Sequence, residues 1–370
     1  MEATRRIVTT PFRDGVVAPP VAVPAGRTSV FAEMMIVMQP DATADEVAAV
    51  VARLRGAGAD VTVVTEGGRT VVSGTTEGRL QDEAPWKDLP GVERVVPSVR
   101  GGRRVGRGYR HEDTVVMVGD VPIGDGSLTI IAGPCAVESR EQLLRTAGAV
   151  KAAGAHILRG DAFKPRTSPY TFQGLGKAGL ECLAEARELT GMPFVAEVLD
   201  PRDVEMVASY ADMIRIGARN MSNHALLREV GRQPKPVQLK RGRAATVEEW
   251  VDAAEYIYNE GNTRIVMVER GVRAFDPSVR NMLDISAVPL IEQRTHLPIV
   301  VDPSHAAGRR DLVPALAKAA VAAGADGIMV DVHPEPHEAL VDGSQALRPE
   351  AFADLVGELQ AVARAVGRRV

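Results

Sequence analysis

The stretch PIVVDPSHAAGRRDLVPALAKAAVAAGADGIMVD, residues 298–331, carries the pattern that decides the fold. A short apolar run ends in Asp-Pro-Ser-His, an alanine-rich helical segment follows, and Ala-Gly-Ala precedes a second apolar run. Short apolar runs are typical of buried strands, and glycine is the preferred residue just beyond the end of a helix. The stretch therefore predicts a strand–helix–strand unit.

The same unit recurs along most of the chain. Apolar runs followed by helical patterns lie at residues 128–133, 156–160, 194–198, 213–217, 237–240, 264–270, 298–302 and 327–331. Eight such units predict a (β/α)8 TIM barrel. The structural rival is a doubly wound open sheet, which usually has fewer strands and a glycine-rich first turn. No GxGxxG turn directly follows any of these runs, so the barrel is favoured.

The sequence before the barrel pattern divides into segments of different character. Residues 1–30 are rich in proline, glycine and alanine, and we expect a poorly ordered leader. Residues 31–99 follow the order strand, helix, strand, strand, helix, strand, which predicts a ferredoxin-like α+β domain. Residues 100–113 form a basic glycine- and arginine-rich linker, and residues 114–370 form the barrel domain, which begins with a hairpin at 114–124.

Composition excludes several classes of protein. A formal net charge of −4 over 370 residues argues against a nucleic-acid-binding or membrane-surface protein. The sequence has no apolar run long enough to span a bilayer, and its first residues lack the apolar core of a secretory signal. Two cysteines, Cys135 and Cys182, cannot build a disulfide framework, which fits the reducing cytoplasm. We expect Cys182 to lie in the core.

Basic side chains gather where the predicted barrel strands end. In TIM barrels the active site lies at the carboxyl ends of the strands. Converging cations need anionic partners, and arginine forks bind phosphate and carboxylate oxygens in pairs. We therefore expect a polyanionic substrate at this end. The basic residues there are Arg159, Lys164, Arg166, Arg219, Lys240, Arg241 and Arg270.

Potential metal ligands follow the first, seventh and eighth strands. Cys135, His305, Asp331 and Asp342 supply a thiolate, an imidazole and two carboxylates, a set that suits Mn²⁺, Fe²⁺, Co²⁺ or Zn²⁺ better than Mg²⁺. Taken singly, Cys135 is more often a small buried apolar residue and Asp342 a turn residue. His333 fits either a supporting partner or a packed residue, and both interpretations stay open.

Long motifs on these same residues resemble a known family. GPCAVES, FKPRTSPYTFQGLG, IGARN, LKRG, ERGVRAFD, DISAVP, DPSHAAGRRDLV and VHPEPHEALVDG are similar to 3-deoxy-D-arabino-heptulosonate 7-phosphate (DAHP) synthases. The resemblance covers residues 31–370 and points to the subfamily with an N-terminal ferredoxin-like regulatory domain.

The resemblance implies a reaction and a set of residue roles. The family condenses phosphoenolpyruvate with erythrose 4-phosphate, the first step of the shikimate pathway. It implies Cys135, His305, Asp331 and Asp342 as metal ligands, Arg159, Arg219, Lys240 and Arg270 as phosphoenolpyruvate ligands, and Lys164, Pro165, Arg166 and Thr167 as the erythrose 4-phosphate site. Lys240 is the expected general acid or base, with Cys135 and His305 completing the catalytic set.

The resemblance also implies a regulator and an assembly. Tyrosine or phenylalanine would bind the N-terminal domain as an allosteric inhibitor, and the chain would form a homotetramer. A separate chorismate mutase partner stays an open alternative.

Two positions depart from the family pattern. Asp331 stands where glutamate is usual, and Asp161 stands where glycine is common, close to an expected anion site.

Two alternative functions stay open. One is 3-deoxy-D-manno-octulosonate 8-phosphate synthase, a related activity that takes arabinose 5-phosphate and has a different loop in place of Lys164-Pro165-Arg166-Thr167. The other is a catalytically inactive barrel that serves as an amino-acid-binding regulatory module.

Overall fold

The structure is a computed structural model that describes residues 31–66, 68–77, 84–98, 104–107 and 109–369. The leader expected at residues 1–30 and the first part of the expected linker lie outside the described residues. The chain divides into two compact units at Gly102/Arg103.

The first unit is a four-stranded antiparallel sheet with two helices. Its strand order is β2-β3-β1-β4, so the first and third strands lie at the centre. A capping box of Thr43 and Glu46 starts the first helix, where each side chain bonds to the backbone of the other. The elements are β1 (Phe31–Met38), α1 (Ala44–Gly56), β2 (Asp60–Glu66), β3 (Arg69–Glu77), α2 (Ala84–Lys87) and β4 (Val92–Ser98).

This order and pairing confirm the predicted ferredoxin-like domain. Its apolar core includes Ile36, Val50, Leu54 and Val72 from the sheet and α1. The predicted second helix is short, because Gly91 begins the turn into β4 with φ 74° soon after α2 ends.

The second unit is a closed barrel of parallel strands, which confirms the (β/α)8 prediction. In the part of the chain that the structure describes, eight strands close in the order β10-β11-β12-β13-β14-β7-β8-β9. They are β7 (Thr129–Gly133), β8 (Ile157–Arg159), β9 (Phe194–Val198), β10 (Met213–Ile216), β11 (Val237–Lys240), β12 (Ile265–Glu269), β13 (Ile299–Val301) and β14 (Gly327–Asp331).

Helices alternate with the barrel strands. They are α3 (Arg140–Ala152), α4 (Lys177–Thr190), α5 (Val204–Tyr210), α6 (His224–Gly231), α7 (Val247–Asn259), α8 (Ala287–Arg294), α9 (Pro303–Ala307), α10 (Val313–Ala322) and α11 (Pro349–Ala365). An apolar layer joins the strands to the helices, and half-buried Cys182 of α4 packs against it. Among the described residues, no helix combines the length and apolar character needed to cross a bilayer.

The interior of the barrel has two layers of different polarity. Ile131, Ile157, Val195, Met213 and Met329 form an apolar cluster with other strand residues. Side chains alternate between the two faces of a strand, so the residue two positions further along each strand faces the same way. Those positions hold charged residues on several strands: Arg159, Glu197, Arg215 and Asp331, all buried. The fold therefore places a polar layer at the carboxyl end of the barrel.

A hairpin closes the opposite end. β5 (Val116–Val118) pairs antiparallel with β6 (Val121–Ile123), within the segment predicted as a hairpin. Val116, Val118 and Ile123 join the apolar cluster inside the barrel. The hairpin turn lies beside the barrel wall, since a Cβ added at Gly119 would come within 3.4 Å of Pro193, which directly precedes β9. Solvent access to the polar layer is therefore from the carboxyl end.

Candidate active site

A cavity of about 270 Å³ opens at the carboxyl end of the barrel. Among the residues that line it are most of those predicted from the sequence: Lys164, Pro165, Arg166, Thr167, Arg219, Lys240, Arg270, His305 and Asp342. Cys135, Arg159 and Asp331 are buried and do not line the cavity. The structure thus brings the predicted residues to one end of the barrel, most of them at the cavity wall and three of them buried behind it.

Cys135, His305 and Asp342 form a compact group. The Cys135 Sγ atom lies 3.6 Å from His305 Nε2 and 3.2 Å from Asp342 Oδ2. His305 Nε2 lies 3.6 Å from the same carboxylate oxygen. Gly133 makes the turn before Cys135 possible, because its φ is 152° and a Cβ there would lie 2.0 Å from the carbonyl oxygen of Arg159.

Asp331 lies on the other side of the His305 ring. Its Oδ2 is 3.5 Å from His305 Nδ1 and accepts a hydrogen bond from Gln345 Nε2 at 2.6 Å. Its Oδ1 accepts a hydrogen bond from the Arg159 guanidinium. Asp331 also belongs to the group, because Cys135, His305 and Asp331 each offer one ligand atom and these atoms lie within 4.8 Å of one another. Its carboxylate already accepts hydrogen bonds from Arg159 and Gln345.

Asp302 orients the histidine ring. Its side chain caps α9, accepts from the His305 backbone N–H at 3.0 Å and lies 2.9 Å from Nδ1. A proton on Nδ1 donated to Asp302 leaves Nε2 as a free acceptor towards Cys135 and Asp342. Burial lowers the pKa of His305 to about 3, which keeps the ring neutral and able to bind a cation.

This set of donors fits a divalent transition-metal ion. One cation can bridge the Cys135 thiol, the His305 imidazole nitrogen and the Asp342 carboxylate at these distances. Asp302 orients the imidazole for this contact. Asp342 is held in the left-handed backbone region at φ 54°, which is uncommon for a residue other than glycine and is typical of functional sites. Arg280 Nη1 donates to Asp342 Oδ1 at 3.0 Å and so fixes the second carboxylate oxygen.

The cationic side chains around the cavity differ in their environment. Burial lowers the pKa of Lys240 to about 8, although its Nζ donates to Asp302 Oδ2 at 2.7 Å. Burial also lowers the pKa of Arg270 to about 10. Arg219 is more exposed and its Nη2 lies 3.4 Å from Thr167 Oγ1. These side chains present positive charge to the cavity.

Two of the predicted cations face elsewhere. Arg159 donates to Asp331, to the Cys135 carbonyl and to Asp161, so its amino groups are engaged beneath the cavity. Arg241 Nη1 lies between Glu269 Oε2 at 2.9 Å and Asp284 Oδ2 at 2.8 Å, and this pair anchors the loop after β12. Arg241 therefore stabilises the loop after β12. The sequence grouped it with the substrate-binding cations only because it follows β11 directly.

Sequence reasoning missed several residues that the structure places at the site. Arg280, in the loop between β12 and α8, lines the cavity and binds Asp342. Glu197 is buried at the end of β9, and burial raises the pKa of its carboxyl. Arg215 on β10 is fully buried and pairs with Asp161. A charged residue inside the apolar run MIRIG was the available signal for Arg215.

Among the described residues, the polar contacts of the His333 side chain are with two glutamates and not with a predicted metal ligand. Its Nδ1 accepts from the Glu335 backbone N–H at 3.1 Å, and its Nε2 lies 3.4 Å from Glu138 Oε2. It does not line the cavity.

Family models match both units of the chain. The DAHP synthetase I family matches residues 109–365, more than half of the chain. The chain belongs to the DAHP synthetase I family. A second model, the DAHP synthase ferredoxin-like domain, matches residues 34–98.

Relatives of known identity agree with this family. Phospho-2-dehydro-3-deoxyheptonate aldolase of Thermotoga maritima is 48% identical over 337 residues, which cover 91% of this chain and 100% of the relative. The crystal structure of the Thermotoga maritima DAHP synthase has a TM-score of 0.74 and 48% identity over 91% of this chain and 99% of its own.

Relatives with the rival activity are more distant. A 2-dehydro-3-deoxyphosphooctonate aldolase of Nitrobacter winogradskyi is 33% identical over 267 residues, which cover 67% of this chain and 92% of the relative. That match covers two thirds of this chain, against 91% for the Thermotoga maritima relative.

Proposed function

We propose that this member of the family is an active DAHP synthase that joins phosphoenolpyruvate to erythrose 4-phosphate with addition of water and release of phosphate. The observation that carries the proposal is the group of Cys135, His305 and Asp342 beside a cavity lined by cations. Two phosphorylated substrates repel each other, and a ring of lysine and arginine side chains offsets that repulsion. An inactive regulatory barrel would have no need of this arrangement.

The residue roles are part of the proposal. Cys135, His305, Asp331 and Asp342 bind a divalent cation, which supplies Lewis-acid polarisation of the aldehyde oxygen when bound. Arg219, Lys240 and Arg270 line the cavity and hold phosphoenolpyruvate, and the buried Arg159 adds positive charge to the same subsite from beneath. Lys164, Pro165, Arg166 and Thr167 hold erythrose 4-phosphate. The orphaned Nη1 of Arg166 supports an anion there, because this buried nitrogen has no hydrogen-bond partner among the described residues.

Lys240 moves the proton in this proposal. A catalytic acid or base works best when its pKa is near the operating pH, and burial brings the pKa of Lys240 down to about 8. Its contact with Asp302 links it to the orientation of His305. Proton transfer and cation binding would therefore share one carboxylate.

Regulation, assembly and location extend the proposal beyond the barrel. We propose that tyrosine or phenylalanine binds the ferredoxin-like unit and inhibits the barrel, that the enzyme is a homotetramer, and that it works in the cytoplasm within the shikimate pathway. The match of the N-terminal unit to the ferredoxin-like domain of DAHP synthases supports the first of these.

The decisive experiment measures coupled turnover with two sugar phosphates. Phosphoenolpyruvate is supplied with erythrose 4-phosphate or arabinose 5-phosphate, with and without a chelator, followed by Mn²⁺, Co²⁺, Fe²⁺ or Zn²⁺. We expect phosphate release with erythrose 4-phosphate only, lost with the chelator and restored by at least one ion. Turnover of arabinose 5-phosphate alone would show that the chain is instead a 3-deoxy-D-manno-octulosonate 8-phosphate synthase. No turnover with any ion would favour the inactive regulatory barrel.

A further inference from the structure

Asp161 is a buried carboxylate that contacts three cations at the site. Its Oδ2 accepts from Arg159 Nη2 at 3.0 Å and from Lys164 Nζ at 2.8 Å. Its Oδ1 accepts from Arg215 Nη1 at 2.7 Å. The side chain is 1% exposed, and the residue lies two positions beyond the end of β8. One carboxylate therefore joins a barrel strand, its following loop and the next strand but one.

Arg215 is the partner that fixes this carboxylate from below. It is fully buried inside the barrel, where its Nε donates to Gln238 Oε1 at 2.8 Å and its Nη2 lies 3.3 Å from Met329 Sδ. An isolated buried charge is costly, and a buried pair is maintained only when its geometry and hydrogen bonds are good. Asp161 and Arg215 meet this condition together, so each allows the other to stay ionised.

Lys164 and Arg159 reach the metal-ligand group through Cys135. Arg159 Nη2 donates to the Cys135 carbonyl at 3.1 Å. Lys164 Nζ donates to the same oxygen at 3.0 Å and lies 3.3 Å from Sγ. Asp161 itself lines the cavity. Movement of its carboxylate would displace both cations and would change the charge that faces an incoming anion.

We infer that Asp161, anchored by Arg215, is a positioning residue that couples the two substrate subsites by holding Arg159 and Lys164 on one carboxylate oxygen. This inference rests on the proposed function, which assigns Arg159 to phosphoenolpyruvate and Lys164 to erythrose 4-phosphate.

The test compares Asp161→Asn, Arg215→Gln and the double variant with the wild type. Asp161→Asn alone leaves Arg215 buried with its principal partner neutralised, so its melting temperature should fall. The double variant removes both charges, so it should recover most of that loss. The matched control is Asp200→Asn with Arg202→Gln, which removes an ion pair of 2.6 Å on the protein surface, where Arg202 is 87% exposed.

The kinetic readout separates positioning from folding. In the double variant we expect KM to rise about fivefold or more for both substrates, while the control pair stays within about twofold of wild type. Unchanged KM values, or a rise for one substrate only, would overturn the inference. If the double variant does not fold, Arg215→Gln carries the test. This variant removes the cation that anchors Asp161 and leaves Arg159 and Lys164 as the remaining partners of the carboxylate. A rise of about threefold or more in both KM values then supports the inference, and values within about twofold of wild type overturn it.

Binding measurements keep this inference separate from the proposed function. Calorimetric titration of phosphoenolpyruvate into wild type and double variant needs no turnover. Weaker binding in the variant supports the role of Asp161 even if the wild type fails to release phosphate from erythrose 4-phosphate. Equal binding would remove the role of Asp161 while wild-type turnover still upheld the function.

Discussion

Cys135 is buried beside a neutral histidine and a carboxylate, and this environment determines what its thiol can do. Burial raises the pKa of the Cys135 thiol, and the nearby Asp342 raises it further, although Lys164 opposes both. The Lys164 ammonium does not outweigh burial, so the thiol favours its protonated form until a metal ion binds and displaces the proton. The residue is therefore suited to metal binding and poorly suited to free nucleophilic chemistry.

Substitution Cys135→Ala should remove the metal-dependent turnover. The variant loses one ligand atom that lies 3.2 Å from Asp342 Oδ2 and 3.6 Å from His305 Nε2. We expect bound metal, measured by elemental analysis after dialysis, to fall by about tenfold or more. The matched control is Cys182→Ala in α4, which should keep both metal and turnover. Full turnover of Cys135→Ala in chelator-treated buffer would refute the metal assignment.

The ionisation of Lys240 should be visible in the pH dependence of the rate. Burial lowers the pKa of Lys240 to about 8, so the protonated fraction falls as pH rises through that value. If the ammonium donates a proton, kcat declines above pH about 8, and if the amine accepts one, kcat rises there. In Lys240→Arg the guanidinium stays protonated, so the residual activity should lose this limb. An identical limb in the variant would assign it to another group.

At the scale of elements, the turns that follow β7 and β8 position the segments that form the site. Gly133 ends β7 with φ 152°, and Gly174 in the loop after β8 has φ 103° and would place a Cβ 2.0 Å from the Ala162 carbonyl oxygen. Both positions exclude a side chain because backbone atoms occupy its space. These two glycines thereby set the paths of the segments that carry Cys135 and Lys164.

Substitution Gly133→Ala should destabilise the protein and disturb the metal-ligand group. The added Cβ would collide with the Arg159 carbonyl, so the free energy of unfolding should fall by about 2 kcal/mol or more. The control is Gly148→Ala in α3, where nothing lies within 4 Å of the added Cβ. That variant should gain about 0.5–1 kcal/mol, because alanine favours a helix. Equal stability changes in denaturant titrations would contradict the structural account.

The loop after β8 should distinguish the two substrates. Arg166 and Thr167 line the cavity on this loop, on the side that we assign to erythrose 4-phosphate. We expect Arg166→Ala to raise KM for the sugar phosphate about tenfold or more and to leave KM for phosphoenolpyruvate within about twofold. Arg202→Ala, on the loop after β9, serves as a surface control. Equal rises for both substrates would contradict the division of anion sites.

At the scale of the whole molecule, the two units have separate apolar cores. The first unit packs its sheet against α1, and the barrel packs its strands against its own helices and hairpin. The proposed catalytic and regulatory roles can therefore be tested on separate units.

Removal of the residues before Arg103 should leave turnover and abolish inhibition by aromatic amino acids. The full chain should lose activity in an initial-rate titration with tyrosine or phenylalanine, and the shortened chain should not respond. Alanine serves as the control amino acid, since it lacks the aromatic ring. Absence of any response in the full chain would leave the first unit a structural role only.

The sequence predicted the barrel well because its signal is local and repeated. Each strand–helix unit carries its own apolar run and glycine stop, and eight repetitions leave few other architectures. The same reasoning predicted which residues gather at the carboxyl end, since parallel strands present their ends together. It did not predict Arg280, whose loop position has no periodic signal, or Arg241's role as an anchor.

By itself, the sequence determined the two-unit organisation, the barrel, and the family to which the chain belongs. Only the tertiary structure decided which atoms meet. It showed that Asp302 orients the His305 ring and that Asp331 and Cys135 face opposite ring nitrogens. It also showed that three cations share Asp161. The reason is physical. Periodicity and turn chemistry act between near neighbours, whereas a buried ionic contact depends on distances between strands far apart in sequence.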